Sequence, residues 1–465
     1  MTSATIDRSA GLLCALVVGA WAAGAGIAAQ DGRPSAESPA AAAAVTPEAR
    51  DAAIKSAFAA LDQRVWGMND GGSPQKQYAI AMTAWASLLA ADKADGAAKL
   101  PSRAKELDRL KDYLARYVET VAREYEKSDA AAAKAKNSGK AAPTEDADDQ
   151  GLGAAFGRPS QYVWPLSMAA HFFAESHARG KDKGTARTAL KQAVEVLEAA
   201  QQPDGGWGHD DATRPGMGLP PIKIPRPGGD DLVYPPSLYA SGNCALSALG
   251  LARAKLGLKE SPAVARAFAH FADWQNGDGS FAYDKSQQRK GSGTEAGSAS
   301  ALEVARTPGA FFALLCAGAP VSHPAVRAAA KAMDAHPEWW SEGHGSATLN
   351  LQFAALAAKA RGDAAWAHFR RLYFPKILAS QEESGLFECI AVAQEPGVTH
   401  DTEPIPGLSG MSDWTGHQKV YVTSIHALIL LLDRAQLQAV PPMPPPAGPT
   451  TGGGANSDAD SGAKR

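Results

Sequence analysis

Gln201-Gln-Pro-Asp-Gly205-Gly-Trp207, Gln275-Asn-Gly-Asp-Gly279-Ser-Phe281 and Gln381-Glu-Glu-Ser-Gly385-Leu-Phe387 are three versions of one pattern: glutamine, three residues, glycine, one residue, aromatic. Seven and four residues before each glutamine stand Val194 and Leu197, Phe268 and Phe271, Phe374 and Ile377, so one apolar helical face leads into every copy. The pattern has a local physical reading. A glutamine in the last helical turn can bond orphan carbonyls, a glycine permits a left-handed or closely approached backbone, and the aromatic folds back as a staple. This is a structural device.

Outward from these copies helical periodicity dominates, and no stretch alternates polar with β-branched residues as a strand would. The spacing predicts twelve helices in six pairs: 46–61 with 77–92, 101–127 with 159–180, 185–201 with 234–256, 261–275 with 301–318, 323–335 with 344–361, and 363–380 with 418–437. The first of each pair is amphipathic, as in KQAVEVLEAA (191–200) or AVARAFAHFADW (263–274). The second is apolar or small nearly all round, as in NCALSALGLARA (243–254), PGAFFALLCAGA (308–319) and VTSIHALILLL (422–432). Helices apolar on all sides are buried on all sides. The expected fold is therefore all-α, an α/α toroid of six helical hairpins with amphipathic helices outside and apolar ones inside. Internal repetition argues for one closed unit rather than two domains.

The flanks read differently. Residues 1–29 have the form of a secretory signal: Arg8 in a short n-region, an apolar run from Leu12 to Ala29, and Gly26 and Ala28 as small residues before a cleavage point. Cys14 follows Leu13 rather than a small residue, which argues against lipidation. The expected mature chain is secreted or periplasmic, with no membrane span once the signal is cleaved. Residues 30–45 form a linker, 46–437 the toroid, 128–150 a low-complexity insertion, and 438–465 a Pro/Gly-rich tail with the run PPMPPPAGPTTGGG; linker, insertion and tail cannot bury a core. A net charge of −3, with acids and bases interspersed, gives no footprint for nucleic acid. Cys244, Cys316 and Cys389 are odd in number and far apart, so they form no disulfide framework. The first two lie in small apolar stretches and read as buried hydrophobes.

At its three motif copies the chain resembles the QW-motif repeats of squalene and hopene cyclases and the related α/α barrel of protein prenyltransferase β subunits. The resemblance is carried by residues 185–437, and over 46–180 by helix pattern alone. It implies inner helices running parallel around a cavity, with the motif tying neighbouring hairpins together. A degenerate copy lies in HPEWWSEGHG (336–345), and near Gln63 and Trp66 the match is too loose to count. The catalytic residues do not follow the scaffold. Asp146-Ala-Asp148-Asp149 matches the cyclases' DxDD acid literally, but it lies in the Lys- and Ala-rich insertion, where carboxylates stay solvated and ionised. No D-x-C zinc pair occurs, Cys244 follows Asn243, and Val422 stands where the zinc histidine would be. The DDxxD signature is absent too, because Asp230-Asp231 continues as Leu-Val-Tyr. No cofactor or metal is expected.

If every hairpin runs outer helix, motif loop, inner helix, the motif loops gather at one end, around the cavity mouth. Two are long, 205–236 and 388–417. They carry His209, Asp210, Asp211, Asp230 and Asp231, then His400, Asp401, Glu403, Asp413 and His417, with Glu342 and His344 in the shorter loop between. Converging carboxylates and histidines suit general acid–base work or cation and sugar binding, whereas loops are also polar simply because they are wet. His426, on an apolar face, reads as a hydrogen-bonded core histidine. Three functional classes stay open. The first is a non-catalytic cavity protein taking an apolar small molecule or a protein partner through its rim. The second is a terpenoid or isoprenoid enzyme using unrecognised acids, with Tyr78, Trp85, Trp164, Tyr239, Phe311, Phe312, Phe353 and Tyr421 along the inner helices. The third is a polysaccharide lyase or hydrolase on an unrelated α/α barrel.

Overall fold

The computed structural model describes residues 45–68, 74–92, 100–138, 162–180, 183–208, 222–224, 232–234, 237–258, 261–283, 288, 299–342, 347–390 and 414–440. Among these residues the twelve α-helices are α1 (Pro47–Arg64), α2 (Pro74–Ala90), α3 (Ala104–Ser138), α4 (Val163–Ala178), α5 (Lys183–Ala199) and α6 (Tyr239–Leu256), then α7 (Pro262–Trp274), α8 (Ala301–Cys316), α9 (Pro324–Ala335), α10 (Ala347–Arg361), α11 (Asp363–Ala379) and α12 (Trp414–Leu431). The chain is mostly helical, as the periodicity predicts. A two-stranded antiparallel ribbon, β1 (Ile222–Ile224) and β2 (Leu232–Tyr234), pairs Ile222 with Tyr234 inside the long loop before α6. Helical periodicity gives no sign of it.

Local sequence explains where the odd helices start. Thr46, Ser261 and His323 accept hydrogen bonds from Ala49, Ala263 and Ala325, each ahead of a proline whose missing N–H costs nothing at the first helical position. Ser300 and Glu303 form a reciprocal capping box on α8. The α3 helix runs on to Ser138, so residues 128–138 are helical rather than part of an unstructured insertion. Their Ala and Lys content favours helix, a propensity outweighed in the sequence reading by low complexity.

Odd and even helices bury themselves differently. Residues 347–358 of α10 are buried on every side, as are 239–252 of α6. The α7 helix buries only Ala263, Ala267, His270, Phe271 and Trp274, spaced three to four apart. The even helices pack in the order α2, α4, α6, α8, α10, α12, and α12 packs in turn on α2. The tightest hairpins differ from the expected pairing by one element, since α2 packs closely on α3, α4 on α5, α8 on α9, and α10 on α11. The turns from even to odd helices are mostly short, whereas the turns from odd to even carry the motif and the long loops.

The motif turns are built alike. Each glutamine amide donates twice: Gln201 to Gly205 O and Ala263 O (both 2.8 Å), Gln275 to Gly279 O and Ala325 O (both 2.9 Å), and Gln381 to Gly385 O and Ala53 O (3.2 and 2.9 Å). One bond closes the loop and the other reaches the next odd helix, and Gln381 reaches back to α1. The orphan carbonyls of its own helix are therefore not its partners, contrary to the sequence reading. For Trp207 that role falls to the aromatic, because its indole N–H donates to Leu197 O at 2.8 Å. Gly205 has φ +93°, and a Cβ there would lie 2.6 Å from Arg266 O, three residues beyond the Gln201 acceptor. Gly279 and Gly385 meet Ala328 O and Ser56 O at the same offset. In the degenerate loop Trp340 donates to Met333 O at 3.2 Å and stacks with Phe369 and Tyr373 of α11.

At the opposite end, the turn after α4 and the chain after α12 are held by charge. Buried Glu175 of α4 accepts Arg179 Nε (2.7 Å) and the backbone N–H of Gln438 (2.9 Å) and Ala439 (2.8 Å). Arg179 also binds Gln436 O (2.6 Å) and Asp92, and Lys255 binds Gln438 O (2.8 Å). Residues 438–440 are thus a strap of the folded body, and the boundary drawn at 437 falls too early. Nearby, Arg50 pairs with Asp51 and Asp433, and Arg370 reaches Asp433 at 3.1 Å. Arg434 approaches Asp51 at 2.9 Å as an ion pair without hydrogen-bond alignment.

Candidate functional site

His209, Asp210, Asp211, Asp230, Asp231, His344, His400, Asp401, Glu403 and Asp413 lie outside the described residues, as does the Asp146–Asp149 string. The backbone of His417 opens α12, but its side chain is outside them too. Glu342 alone of the twelve candidates has a described side chain. It is buried, its backbone carbonyl accepts Asn350 Nδ2 at 2.8 Å, and its charge acts on Tyr373 and Lys376 of α11. That places it against the odd-helix layer.

The motif loops nonetheless organise the start of each even helix. The second motif residue reaches forward in every copy: Gln202 to Ser237, Asn276 to Glu303, and Glu382 to Lys419. The fourth folds the loop. Asp204 accepts Gly206 N (3.0 Å), Asp278 accepts Ser280 N (2.9 Å), and Ser384 accepts Leu386 N (3.3 Å). Ser237, Asp204 and His270 have the composition of a nucleophilic relay, but the order is wrong. Ser237 Oγ lies 2.6 Å from Gln202 Oε1 and 2.8 Å from Asp204 Oδ1, so its proton goes to these oxygens rather than to imidazole.

Deeper along the even helices the side chains meet one another. Tyr78 of α2 donates to Gln352 of α10 at 2.8 Å, and Gln352 in turn contacts Met168 Sδ of α4 at 3.4 Å. Trp85, His171, Phe312 and Phe353 continue the contact as successive ring pairs, all buried. Ser247 spends its proton on the carbonyls of Asn243 and Cys244, so it accepts from His171 Nε2 at 2.9 Å, which assigns the tautomer. Burial lowers the pKa of His171 and of His426 to about 3 and raises those of the Cys244 and Cys316 thiols. Near neutral pH these imidazoles and thiols are uncharged. His426 lies edge-on to Phe387 at 5.4 Å, buried as a core histidine would be, but neither of its ring nitrogens has a hydrogen-bond partner among the described residues, contrary to the hydrogen-bonded core histidine expected.

At the loop-bearing end of α6 and α8 the interior becomes polar. Arg306 is 5% exposed and sits 5.1 Å from the Tyr239 ring and 5.2 Å from the Tyr283 ring. Asn243 is buried against Gly309, one turn further along α8, and Trp164 of α4 donates to Ser241 at 2.8 Å. Arg306 is not among the candidates the sequence offers, since a lone arginine in a helix usually lies on a wet face. Among the described residues no group of three or more His, Cys, Asp or Glu side chains is arranged to hold a metal, and no helix is long and apolar enough to cross a membrane. No family model matches the chain, and no curated protein matches it significantly.

Proposed function

We propose that the chain is an exported α/α toroid of the squalene-cyclase-like class that binds a ligand at its loop-bearing rim, without the catalytic chemistry of the family it resembles. The return of α12 to α2, and of Gln381 to Ala53, supports a closed ring. The signal-like residues 1–29, which lie outside the described residues, support export. One contrast carries the rim reading: the middle of the even helices is filled by Gln352, Met168, His171 and their aromatic neighbours, whereas their loop-bearing ends bury polar groups such as Arg306 and Asn243. Filled centres leave little room for a deep apolar ligand, and half-satisfied polar mouths are where ligands gain affinity. The terpenoid-enzyme and polysaccharide readings gain nothing from the described residues, whose buried His171, His426, Cys244 and Cys316 are neutral.

The test is mass spectrometry of the mature chain purified from its native compartment without denaturation. A stoichiometric small molecule released on unfolding is the expected result. A protein that repeatedly carries nothing, and whose melting is indifferent to extracts of that compartment, sinks the reading.

A further inference from the structure

Arg306 is the most exposed to question of all the buried charges. Every other buried arginine with a described side chain has a carboxylate partner: Arg50 has Asp51 and Asp433, Arg179 has Glu175, and Arg434 has Asp51. Arg306 has no hydrogen bond and no ion pair among the described residues, and its Nε is buried without a partner. The acid three residues before it on α8 is engaged elsewhere. Glu303 accepts Asn276 Nδ2 at 3.1 Å and the Ser300 backbone N–H at 2.8 Å.

A guanidinium cannot escape this position by losing its proton, as a lysine would. Two tyrosine rings about 5 Å away offset part of the cost through their π faces but accept none of its five N–H donors. One turn further along, Asn243 of α6 packs its carboxamide against Gly309 of α8, and its Oδ1 is also buried without a partner. A fixed planar donor fork and a nearby acceptor thus share one interface between two helices, at the end where the motif loops deliver the chain.

We propose that Arg306 is the anchor of an oxyanion-binding position, taking the carboxylate or phosphate group of the rim ligand, with Asn243 accepting a hydroxyl or N–H beside it. The guanidinium edge meets two oxygens in its own plane while the Tyr239–Tyr283 pair backs it. This rests on the rim-binding reading and names the ligand's charged end.

The test is thermal unfolding of the full chain in sodium phosphate, sodium acetate and sodium chloride at matched pH and ionic strength. Phosphate, acetate or both should raise the midpoint saturably over chloride. At ten times its dissociation constant the bound anion multiplies the folding equilibrium constant by about elevenfold. Arg306→Gln should abolish the response, and the better of the two anions identifies the group. Identical melting of the wild-type chain in all three salts overturns the proposal, as does an undiminished response in the variant. Should Arg306→Gln not fold, Arg306→Lys replaces it: keeping charge but losing the fork, it should bind at least tenfold more weakly, and unchanged affinity counts against the proposal. A neutral ligand recovered from the native protein, together with no anion response, removes the Arg306 position and leaves rim binding standing. An anion response from a protein that never carries a ligand does the reverse.

Discussion

The turns from odd to even helices and the opposite end, with the turn after α4 and the chain after α12, secure neighbouring helices with different chemistry. The former use neutral amides, Gln201, Gln275 and Gln381, each shared between its own loop and the next odd helix. The latter uses buried charges, with Glu175 and Arg179 holding the strap, and Arg50, Asp51, Asp433 and Arg434 joining the start of α1 to the end of α12. A neutral amide bond contributes about 1 kcal/mol net and costs about 1–3 kcal/mol when it leaves a buried partner unsatisfied. A buried ion is costly throughout and tolerable only while every partner is present. The molecule should therefore fail abruptly at its charged end and gradually at its motif turns.

Glu175→Ala tests the larger effect. It leaves Arg179 buried with a weaker partner set and two strap N–H groups unbonded, so a loss of about 3–5 kcal/mol is expected in chemical denaturation. Limited proteolysis should open the chain near residues 436–440, which Arg179, Glu175 and Lys255 otherwise hold. An unchanged midpoint would break the comparison at its stronger end. Gly205→Ala comes next: at φ +93°, with Arg266 O only 2.6 Å from the new Cβ, about 1–3 kcal/mol should be lost, read as a lowered Tm with the helical circular dichroism preserved.

Gln381→Ala removes two amide bonds and Gln201→Ala three, the third being the Arg266 Nη2 donation at 2.6 Å, and each should cost about 1–2 kcal/mol. Gln381→Glu, which keeps the oxygens and loses the N–H donors, should be no better than alanine; if it behaves as wild type, the amide is not what joins α11 to α1. The smallest effect per step is acid sensitivity at the motif end. His426 stays neutral in the fold, with a pKa of about 3, while the unfolded chain protonates near 6.5. Its contribution is therefore complete above about pH 6.5 and is lost on acidification towards 3, by about 1.4 kcal/mol per pH unit, and His171, lowered alike, adds a similar slope. His426→Leu should therefore remove about half of that limb in denaturation curves taken between pH 7 and 4, and an unaltered slope would place the acid sensitivity elsewhere.

Much of the fold could be read because it rests on periodicity. The alternation of amphipathic and apolar helices located all twelve, and spacing alone exposed the three glutamine-glycine-aromatic copies. Other parts of the device were present but went unread. The fourth motif position is Asp204, Asp278 or Ser384, always a short oxygen-bearing side chain that folds the loop. The receiving helices repeat as Ser261-Pro-Ala-Val264 and His323-Pro-Ala-Val326, whereas the third acceptor, Ala53, lies deeper in α1 and keeps no such frame. The strap escaped notice because Glu175 holds backbone N–H groups, and any sequence supplies those. The candidate site was harder still. Polar loops drew attention by composition, while Arg306 is informative only through what it lacks, and an absent partner leaves no mark on a sequence.

Because the odd helices start at the end where the strap and its ion pairs lie and finish at the end that carries the motif loops, the two described ends of the chain, Val45 before α1 and Val440 after the strap, leave from the same side of the molecule. An 18-residue α1 is roughly 27 Å long. A label attached at either described end therefore sits at the face opposite the motif loops, roughly one helix length from them.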